Sequence, residues 1–265
     1  MADMFSNAAG YENLAGRWSA RLAPLFLEFT KIRDGERALD VGCGTGVLSR
    51  ALAGAAPRSE VVGVDQSGPF IEYARAQGDD PRVTYEVGNA LELTYPNASF
   101  GQVLSMLVIM LIPDGEKAAG EMRRVTRPGG LVAACTGDSG DGGLKFITTL
   151  WDEAVKLDPA AEELRPERSL KFNRRGQLTE LWEATGLENI EETGIEFGMD
   201  FSSFDDYWLP YLQGVGQLGV YIKDLSPEVR DALREALRKR FLPGGEDGPF
   251  TLGARAWAVR GTVPD

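Results

Sequence analysis

The residues with the clearest chemical signature are three glycines at alternate positions, Gly42, Gly44 and Gly46, at the end of Ala38–Gly46 (ALDVGCGTG). Glycine at these positions permits a turn with positive φ and leaves no Cβ between the backbone and a ligand. The glycine loop, Gly42–Gly46, follows an apolar run and precedes the helical pattern Val47–Ala53, so free N–H groups and a positive helix end would point at one place. Such a strand, loop and helix suit a small-molecule site, although a tight structural turn would need similar glycines.

The glycine spacing restricts the kind of ligand. GxGxG differs from the dinucleotide pattern GxGxxG and from the phosphate loop, which needs GxxxxGK followed by Ser or Thr. The next apolar run, EVVGVD, ends in Asp65, close to the offset of about 20 residues at which a ribose-binding carboxylate is expected. Together, the loop and Asp65 predict a nucleoside-like ligand at the ends of two strands.

At these residues the chain resembles the class I S-adenosylmethionine-dependent methyltransferases, whose first motif is similar to LDVGCGTG and whose second strand ends in an acid. The turn RPGG at Arg127–Gly130 is also typical of that family. The resemblance extends over Tyr11–Cys135 and points to the small-molecule type, similar to enzymes of ubiquinone and menaquinone biosynthesis. It implies S-adenosylmethionine as the cofactor and a small organic molecule as the methyl acceptor.

The resemblance also implies that residues at successive strand ends hold the cofactor. Asp40 and the glycine loop would bind the methionine moiety, Asp65 the ribose hydroxyls, and Gln66 would lie against adenine. Asn89 stands where the family carries Asp or a similar side chain; its amide oxygen can still accept from the adenine amino group, although Asn also suits a plain turn. The implied cofactor-binding residues are Arg17, Asp40, Gly42, Cys43, Gly44, Thr45, Gly46, Asp65, Gln66, Asn89, Ala90 and Met106.

The segment Tyr11–Trp18 precedes this core, and in the resembled family such a segment folds over the cofactor. Tyr11, Arg17 and Trp18 are its candidate contacts, although Tyr11 and Trp18 also suit core packing and Arg17 a surface position. Ser105, Met106 and Leu107 would lie near the cofactor's amino-acid end and the transferred methyl group, and Met106 serves equally well as a core residue.

A general base is not evident, because the chain has no histidine. Tyr11, Tyr207 and Asp206 are candidates for a proton acceptor, and the sequence assigns the catalytic role to none of them. An amine, an acidic carbon or a phenol needs no strong base, so these acceptors fit the composition best.

The surrounding elements alternate between strand and helix, which is typical of a doubly wound parallel sheet. We predict one Rossmann-like α/β domain over residues 1–265, with a seven-stranded, mostly parallel sheet, one antiparallel strand and helical cover insertions. Its parts are an N-terminal cover (1–33), a cofactor-binding core (34–137) and two candidate substrate covers (138–178 and 202–250). Two local predictions are a helix break or a new helix start at Pro24 and a buried fourth strand over Gly101–Ile112.

The second half of the chain offers two candidate covers. The aromatic stretch Phe204–Leu212 stands beside Gly214, Gly216 and Gly219, so it could form a lid over an apolar substrate or a helix packed on the core. Trp151–Phe172 is the other candidate.

The chain has 265 residues and a formal net charge of −12. An acidic surface repels phosphate backbones and anionic lipid, which argues against nucleic acid and membrane partners. The densest basic runs, Arg165–Arg175 and Arg234–Arg240, are interleaved with acids or spaced along helices, so we interpret them as solvated faces.

The two cysteines, Cys43 and Cys135, and the absence of histidine exclude a Cys–His pair, a zinc site and a disulfide framework. The N-terminus lacks signal-peptide features, and the most apolar run, Val103–Ile112, is too short to cross a bilayer. These features predict a cytoplasmic protein without a bound metal. They do not predict the oligomeric state.

Two other classes of function fit parts of the sequence. A nicotinamide-dependent oxidoreductase would use a similar sheet, but the GxGxG spacing and the lack of a recognisable Tyr–Lys or His pair argue against it. A non-catalytic cofactor-binding or interaction protein would explain the acidic surface and the missing base. Such a protein would bind the cofactor without methylating any acceptor.

Overall fold

Short apolar runs form the strands of a central sheet in the computed structural model, which describes residues 8–140, 142–214 and 216–265. β1 and β4 are buried along their whole length, as expected for parallel strands covered on both faces. The strands are β1 (Ala38–Val41), β2 (Val61–Asp65), β3 (Val83–Val87), β4 (Phe100–Met106), β5 (Thr126–Gly137), β6 (Glu188–Phe201) and β7 (Phe250–Thr262).

The helices between the strands follow sequence signals for helix starts. The Ser67 hydroxyl accepts a hydrogen bond from Phe70 N at 3.4 Å, with Pro69 in the first turn. The helices are α1 (Ala8–Tyr11), α2 (Arg17–Thr30), α3 (Val47–Ala55), α4 (Gly68–Ala76), α5 (Gly115–Val125), α6 (Lys145–Leu157), α7 (Pro166–Ser169), α8 (Gln177–Ala184), α9 (Phe204–Trp208), α10 (Gly216–Asp224) and α11 (Pro227–Phe241). A π-helical turn at Glu12–Gly16 joins α1 to α2.

The sheet has seven strands in the order β3-β2-β1-β4-β5-β7-β6. β1 to β5 run parallel, and β7 is antiparallel to both of its neighbours, β5 and β6. This confirms the prediction of a doubly wound, mostly parallel sheet with one antiparallel strand. The strand order reverses between β1 and β4, where ligands of such sheets bind at the carboxyl ends of the strands.

β6 and β7 extend beyond the rest of the sheet. The last pair between β5 and β7 is Gly137 with Ala256, whereas the ladder between β6 and β7 continues to Phe201 with Phe250. Six further residues of β7 correspond to roughly 20 Å of strand. We call this part of β6 and β7 the sheet extension. It rises from the same edge of the sheet as the glycine loop.

Within the described residues the core has four clusters of buried side chains, the smallest of which lies around α4 and β3. One lies on the sheet face under α5 and α8, and another lies on the opposite face under α2 and α3. The third joins α6, α9, α10 and α11 to the sheet extension, with the fully buried Trp151, Phe204 and Leu233 among its members. The two predicted substrate covers therefore contribute to one shared helical unit, which we call the cover.

Two local predictions are wrong. α2 continues through Pro24 without a break, because Leu22 and Phe26 on either side of it are fully buried and their packing compensates for the missing backbone hydrogen bond. β4 ends at Met106 instead of Ile112, and the chain turns into a short 3₁₀ helix at Ile109–Leu111. An apolar run that is buried throughout does not by itself distinguish a strand from a buried turn.

Candidate functional site

The three loop glycines have positive φ angles of 74°, 53° and 84° at Gly42, Gly44 and Gly46. A Cβ on Gly42 would lie 2.4 Å from a methyl carbon of Val108, and a Cβ on Gly46 would lie 2.5 Å from the Tyr85 hydroxyl. Among the described residues, a Cβ on Gly44 would meet no atom nearer than 3.8 Å. Gly42 and Gly46 thus allow close packing within the protein, while the space beside Gly44 is open to a ligand.

Most N–H groups of the loop are bonded within the protein, contrary to the expectation of free donors. The N–H groups of Gly42 and Cys43 donate to the Val64 carbonyl at 2.7 and 3.0 Å, which fastens the loop to the end of β2. The Gly44 N–H donates to a carboxylate oxygen of Asp65 at 2.9 Å. A ligand that takes the Gly44 N–H must therefore also engage Asp65.

Asp65 ends β2 directly beside the glycine loop. Its second carboxylate oxygen accepts from Ser67 N at 2.8 Å, so two backbone donors fix the orientation of the group. Burial raises the pKa of Asp65, against the hydrogen bonds from Ser67 and Gly44. Each carboxylate oxygen retains acceptor capacity. The structure thus brings together the acid and the loop that the sequence predicted as neighbours, in a geometry suited to a pair of ribose hydroxyls.

Asp40 lies beneath the loop and is 1% exposed. The Ser49 hydroxyl donates to its carboxylate at 2.6 Å. Burial raises the pKa of Asp40 to about 7, against the hydrogen bond from Ser49, and the negative charge of Asp65 adds to the rise. A carboxyl group in this state is stabilised in its ionised form by any cation brought close to it.

Cys43 and Thr45 lie between the glycines of the loop, and their side chains have different roles. Burial raises the pKa of the Cys43 thiol well above its ordinary value, so this residue is not an activated nucleophile. Thr45 is buried, and its hydroxyl donates to the Glu12 carboxylate. Thr45 thus connects the loop to the N-terminal segment.

Tyr11 and Glu12 lie at the glycine loop, where the sequence predicted an N-terminal cover. The ring of Tyr11 packs against Phe70 with centroids 5.0 Å apart. Burial, followed by the charges of Asp65 and Glu12, raises the pKa of Tyr11 to about 12. Its hydroxyl is therefore protonated at neutral pH, and it can donate a hydrogen bond but is poorly suited to accept a proton.

Arg17 and Trp18 contact the cover. Arg17 donates to both carboxylate oxygens of Asp206, at 2.8 and 3.1 Å, and to the Asp200 carbonyl at 3.0 Å. Burial acts to raise the pKa of Asp206, but hydrogen bonds from Arg17 and Ser202 outweigh it and lower the pKa. Asp206 is thus an ionised partner of Arg17, and the described contacts of Arg17 join α2 to the cover.

Tyr207 belongs to the third core cluster and is 1% exposed. Its hydroxyl donates to the Phe146 carbonyl at 2.9 Å. Burial raises its pKa well above the ordinary value. The structure places Tyr207 inside the cover, with a structural hydrogen bond.

The predicted adenine contacts lie at the ends of β2 and β3. Gln66 and Asn89 are exposed, and the Asn89 side-chain oxygen accepts from Leu91 N at 2.9 Å, with Ala90 between them. This is the turn that the sequence allowed, and a second lone pair of that oxygen stays available. Met106 is buried as the last residue of β4.

Sequence reasoning placed Leu107 near the transferred methyl group but did not predict its backbone conformation, and it missed Val108. Leu107 follows β4 with φ of 63°, a strained conformation for a side chain of this size, and its N–H donates to the Cys135 carbonyl at 2.8 Å. The turn brings Val108 against Gly42. No residue type in the sequence signals a left-handed leucine, so only the structure could locate this turn beside the loop.

The described part of the chain has neither a cluster of metal-binding side chains nor a membrane-spanning helix. No group of three or more His, Cys, Asp or Glu side chains there is arranged to hold a metal ion. No helix within those same ranges combines the length and apolar character needed to cross a bilayer.

Comparison with known proteins identifies the class. A family model described as a methyltransferase domain matches residues 39–134. A demethylmenaquinone methyltransferase of Geobacillus kaustophilus is 30% identical over 184 residues, which cover 63% of this chain and 77% of that protein.

Two solved structures share the fold. A putative methyltransferase from an antibiotic biosynthesis pathway of Anabaena variabilis superposes with a TM-score of 0.61 at 21% identity, covering 91% of this chain and 96% of that one. A phosphoethanolamine N-methyltransferase of Haemonchus contortus, in complex with S-adenosyl-L-methionine, gives a TM-score of 0.58 at 21% identity, with coverages of 97% and 57%.

The sheet order, the glycine loop after β1 and the carboxylate at the end of β2 define a Rossmann-like domain that binds a nucleoside-containing ligand. Taken with the methyltransferase relative, they show that the chain belongs to the class I S-adenosylmethionine-dependent methyltransferases. Its cofactor is S-adenosylmethionine, which confirms the prediction made from ALDVGCGTG and Asp65.

Proposed function

We propose that this methyltransferase acts on a small organic acceptor, and that Asp65 and the glycine loop hold the cofactor. The observation that carries the assignment of the site is the hydrogen bond from Gly44 N to the Asp65 carboxylate at 2.9 Å, beside open space. The two hydroxyls of a ribose can form hydrogen bonds with the Asp65 carboxylate and the Gly44 N–H without a change in the backbone conformation.

The remaining site residues are proposed by position. Asp40 lies where a cationic amino group of the methionine moiety would be stabilised by its carboxylate. Gln66, Asn89 and Ala90 line the adenine end, and Met106 ends the strand nearest the methyl group. Arg17 is proposed as a cofactor-binding residue on the family resemblance alone, and its side chain forms an ion pair with Asp206.

S-adenosylmethionine supplies a methyl group already activated by a sulfonium. The chain therefore has to align the acceptor with that methyl group and exclude water from it. Tyr11 and Glu12 close the glycine loop from one side, and the cover closes the same edge of the sheet from the other. Because Tyr11 is protonated and Tyr207 is buried, we propose an acceptor that needs no strong base.

An asparagine substitution tests the ribose assignment. Asp65→Asn should weaken binding of S-adenosylhomocysteine by about 1.5–3 kcal/mol, because a charged acceptor of hydrogen bonds is lost. Calorimetric titration measures this, with Asp79→Asn as the control, since Asp79 is exposed in the turn before β3. Equal affinities of the two variants would refute the assignment.

A non-catalytic cofactor-binding protein is the second candidate, favoured by the protonated state of Tyr11 and the structural hydrogen bond of Tyr207. It predicts cofactor binding without turnover. Mass spectrometry of a cell extract supplied with labelled cofactor distinguishes the two functions, because a methylated small molecule appears only with an enzyme.

Partners and location also remain proposals. The acidic composition supports a chain that binds neither nucleic acid nor membrane. The free, buried Cys43 and Cys135 support the proposal of a cytoplasmic location.

A further inference from the structure

A cleft of about 390 Å³ lies beyond the carboxyl end of β5. Its walls are the loop after β5, the first half of α6, the end of α11 and the β7 strand of the sheet extension. Three cationic side chains, Lys145, Arg165 and Arg240, line it together with one acid, Asp152. We call this surface the basic cleft, since its described lining is positive in a chain of net charge −12.

The cations come from distant parts of the sequence. The sequence predicts solvated faces for the basic runs Arg165–Arg175 and Arg234–Arg240, and the structure places one residue of each run in the basic cleft. Lys145, at the start of α6, adds a third charge from another element. Chain topology thus concentrates positive charge at one place on an acidic protein.

The three cations differ in how far their charge is already compensated. Arg165 is held by Asp152 at 2.8 Å and by Glu162 at 2.7 Å, so it is part of an ion-pair network. Lys145 and Arg240 are exposed, and no ion pair or hydrogen bond to their side chains occurs within the described ranges. Two like charges that no described residue compensates, in one concave surface, favour the binding of an anion.

Other lining groups suit the same kind of ligand. α6 begins at the cleft, and within the described residues no side chain caps its positive end. Thr148 and Thr149 add hydroxyl donors, while Phe241 and Leu252 form an apolar wall. A ligand complementary to this surface combines an acidic group with an apolar body.

The basic cleft also has a defined relation to the proposed methyl-transfer site. Cys135 pairs with Met106, the last residue of β4, and Ser139 of the cleft lies four residues beyond Cys135. β5 continues for two residues beyond Cys135, which is roughly 7 Å along the strand direction, and Ser139 follows two residues after the strand ends. Both surfaces lie at the carboxyl edge of the sheet, so one extended molecule can reach both.

We propose that the basic cleft binds the acidic group, a carboxylate or a phosphate, of the methyl acceptor. Lys145 and Arg240 form the ion pairs, and the nucleophilic end of the acceptor lies near Met106. The inference that this anion belongs to the acceptor rests on the proposed function.

Anion binding is tested with inorganic phosphate as the probe. Phosphate titrations at constant ionic strength are followed by NMR chemical shifts of wild type and of the double variant Lys145→Gln/Arg240→Gln. The matched control is Lys239→Gln/Arg230→Gln, because both residues lie on α11 outside the cleft lining. We expect phosphate to shift the amides of the first turn of α6, and the dissociation constant to rise about tenfold or more in the cleft variant alone. Equal phosphate affinity in both double variants, or none in wild type, would overturn the anion site.

Labelled methyl transfer tests whether the methyl acceptor carries the acidic group that the basic cleft binds. The product identified in a cell extract should carry an acidic group, and the cleft variant should raise KM for its precursor about tenfold while kcat stays within about twofold. A neutral or cationic acceptor, or an unchanged KM, would overturn the assignment to the acceptor. Titration of the same samples with S-adenosylhomocysteine separates the two proposals. If wild type does not bind S-adenosylhomocysteine, the proposed function is contradicted. Phosphate binding tests the basic cleft alone.

Discussion

Among the described residues of the site, Asp40 has a carboxyl group that is partly protonated near neutral pH. Burial raises its pKa to about 7, so a fraction of the free protein carries a proton there. A ligand with a cationic amino group favours the ionised form and must displace that proton. Binding then becomes tighter as pH rises toward 7, because less protein has to be deprotonated, and it levels off above the pKa of the free protein.

This gives a prediction for S-adenosylhomocysteine binding. Between about pH 5.5 and pH 7 the dissociation constant should fall by up to about tenfold per pH unit, and the binding enthalpy near pH 6.5 should depend on the ionisation heat of the buffer. Calorimetry in two buffers measures the released proton. Asp40→Asn should abolish the release, while Asp79→Asn should preserve it. Proton release that persists in Asp40→Asn would assign the proton to another group, such as Asp65.

The glycine loop allows two alanine substitutions to be compared. A Cβ on Gly44 would make only an ordinary van der Waals contact, 3.8 Å from the Phe70 ring, so Gly44→Ala should cost about 1–2 kcal/mol of stability for its positive φ yet block a ligand. Gly42→Ala adds a contact of 2.4 Å with Val108 and should destabilise the fold more. Urea unfolding and cofactor titration together check the contrast. A Gly44→Ala protein with wild-type affinity would show that the ligand does not approach this face.

At the residue scale, the sequence predicted the parts of the site that depend on local pattern. Alternate glycines after an apolar run, and an acid at the end of the next run, identify Gly44 and Asp65 because each feature follows from a few neighbouring residues. The conformation of Leu107 could not be found in this way. Its left-handed conformation is imposed by the bond to Cys135 and by packing, which no local signal encodes.

At the element scale, α2 connects the sheet to the cover through Arg17 and Asp206, whose side chains are 34% and 29% exposed. The pair is bidentate, but solvent screens it at this exposure. We predict a coupling energy of about 1 kcal/mol in a double-mutant cycle of Arg17→Gln and Asp206→Asn, measured by urea unfolding.

An ion pair between α2 and β6 of the sheet extension serves as the control. Arg21 and Asp200 are about half exposed, and they should couple by no more than about 0.5 kcal/mol. If the two cycles gave equal energies, the contact of Arg17 would be no more than an ordinary surface ion pair.

Element boundaries were predictable where a residue type marks them and not elsewhere. Ser67 and Pro69 are residue types that favour a helix start, and they mark the start of α4. Pro24 indicated a break that does not occur, because burial of Leu22 and Phe26 outweighs the local preference of proline. Tertiary packing thus decided a boundary that local chemistry alone would have placed differently.

At the scale of the whole molecule, the sequence predicted the α/β sheet from alternation but could not assemble the cover. The third core cluster joins α6 and α11, elements far apart in the chain, to the sheet extension. No local pattern predicts the extension of β6 and β7, and none predicts that Arg165 and Arg240 line the same cleft. These features depend on long-range packing.

A separate core implies that the cover has a stability of its own. Leu233 is fully buried in the third cluster, and Leu52 is fully buried in the cluster under α2 and α3. Truncation of either leucine to alanine should cost about 2–5 kcal/mol locally. In hydrogen exchange, Leu233→Ala should speed exchange of amides in α6 and α11 while those of β1 and β4 stay protected, and S-adenosylhomocysteine should still bind. Leu52→Ala should instead expose β1 and α3 and weaken that binding. Uniform loss of protection in both variants would show one cooperative unit, with Trp18 and Phe197, which pack against both clusters, coupling the cover to the sheet completely.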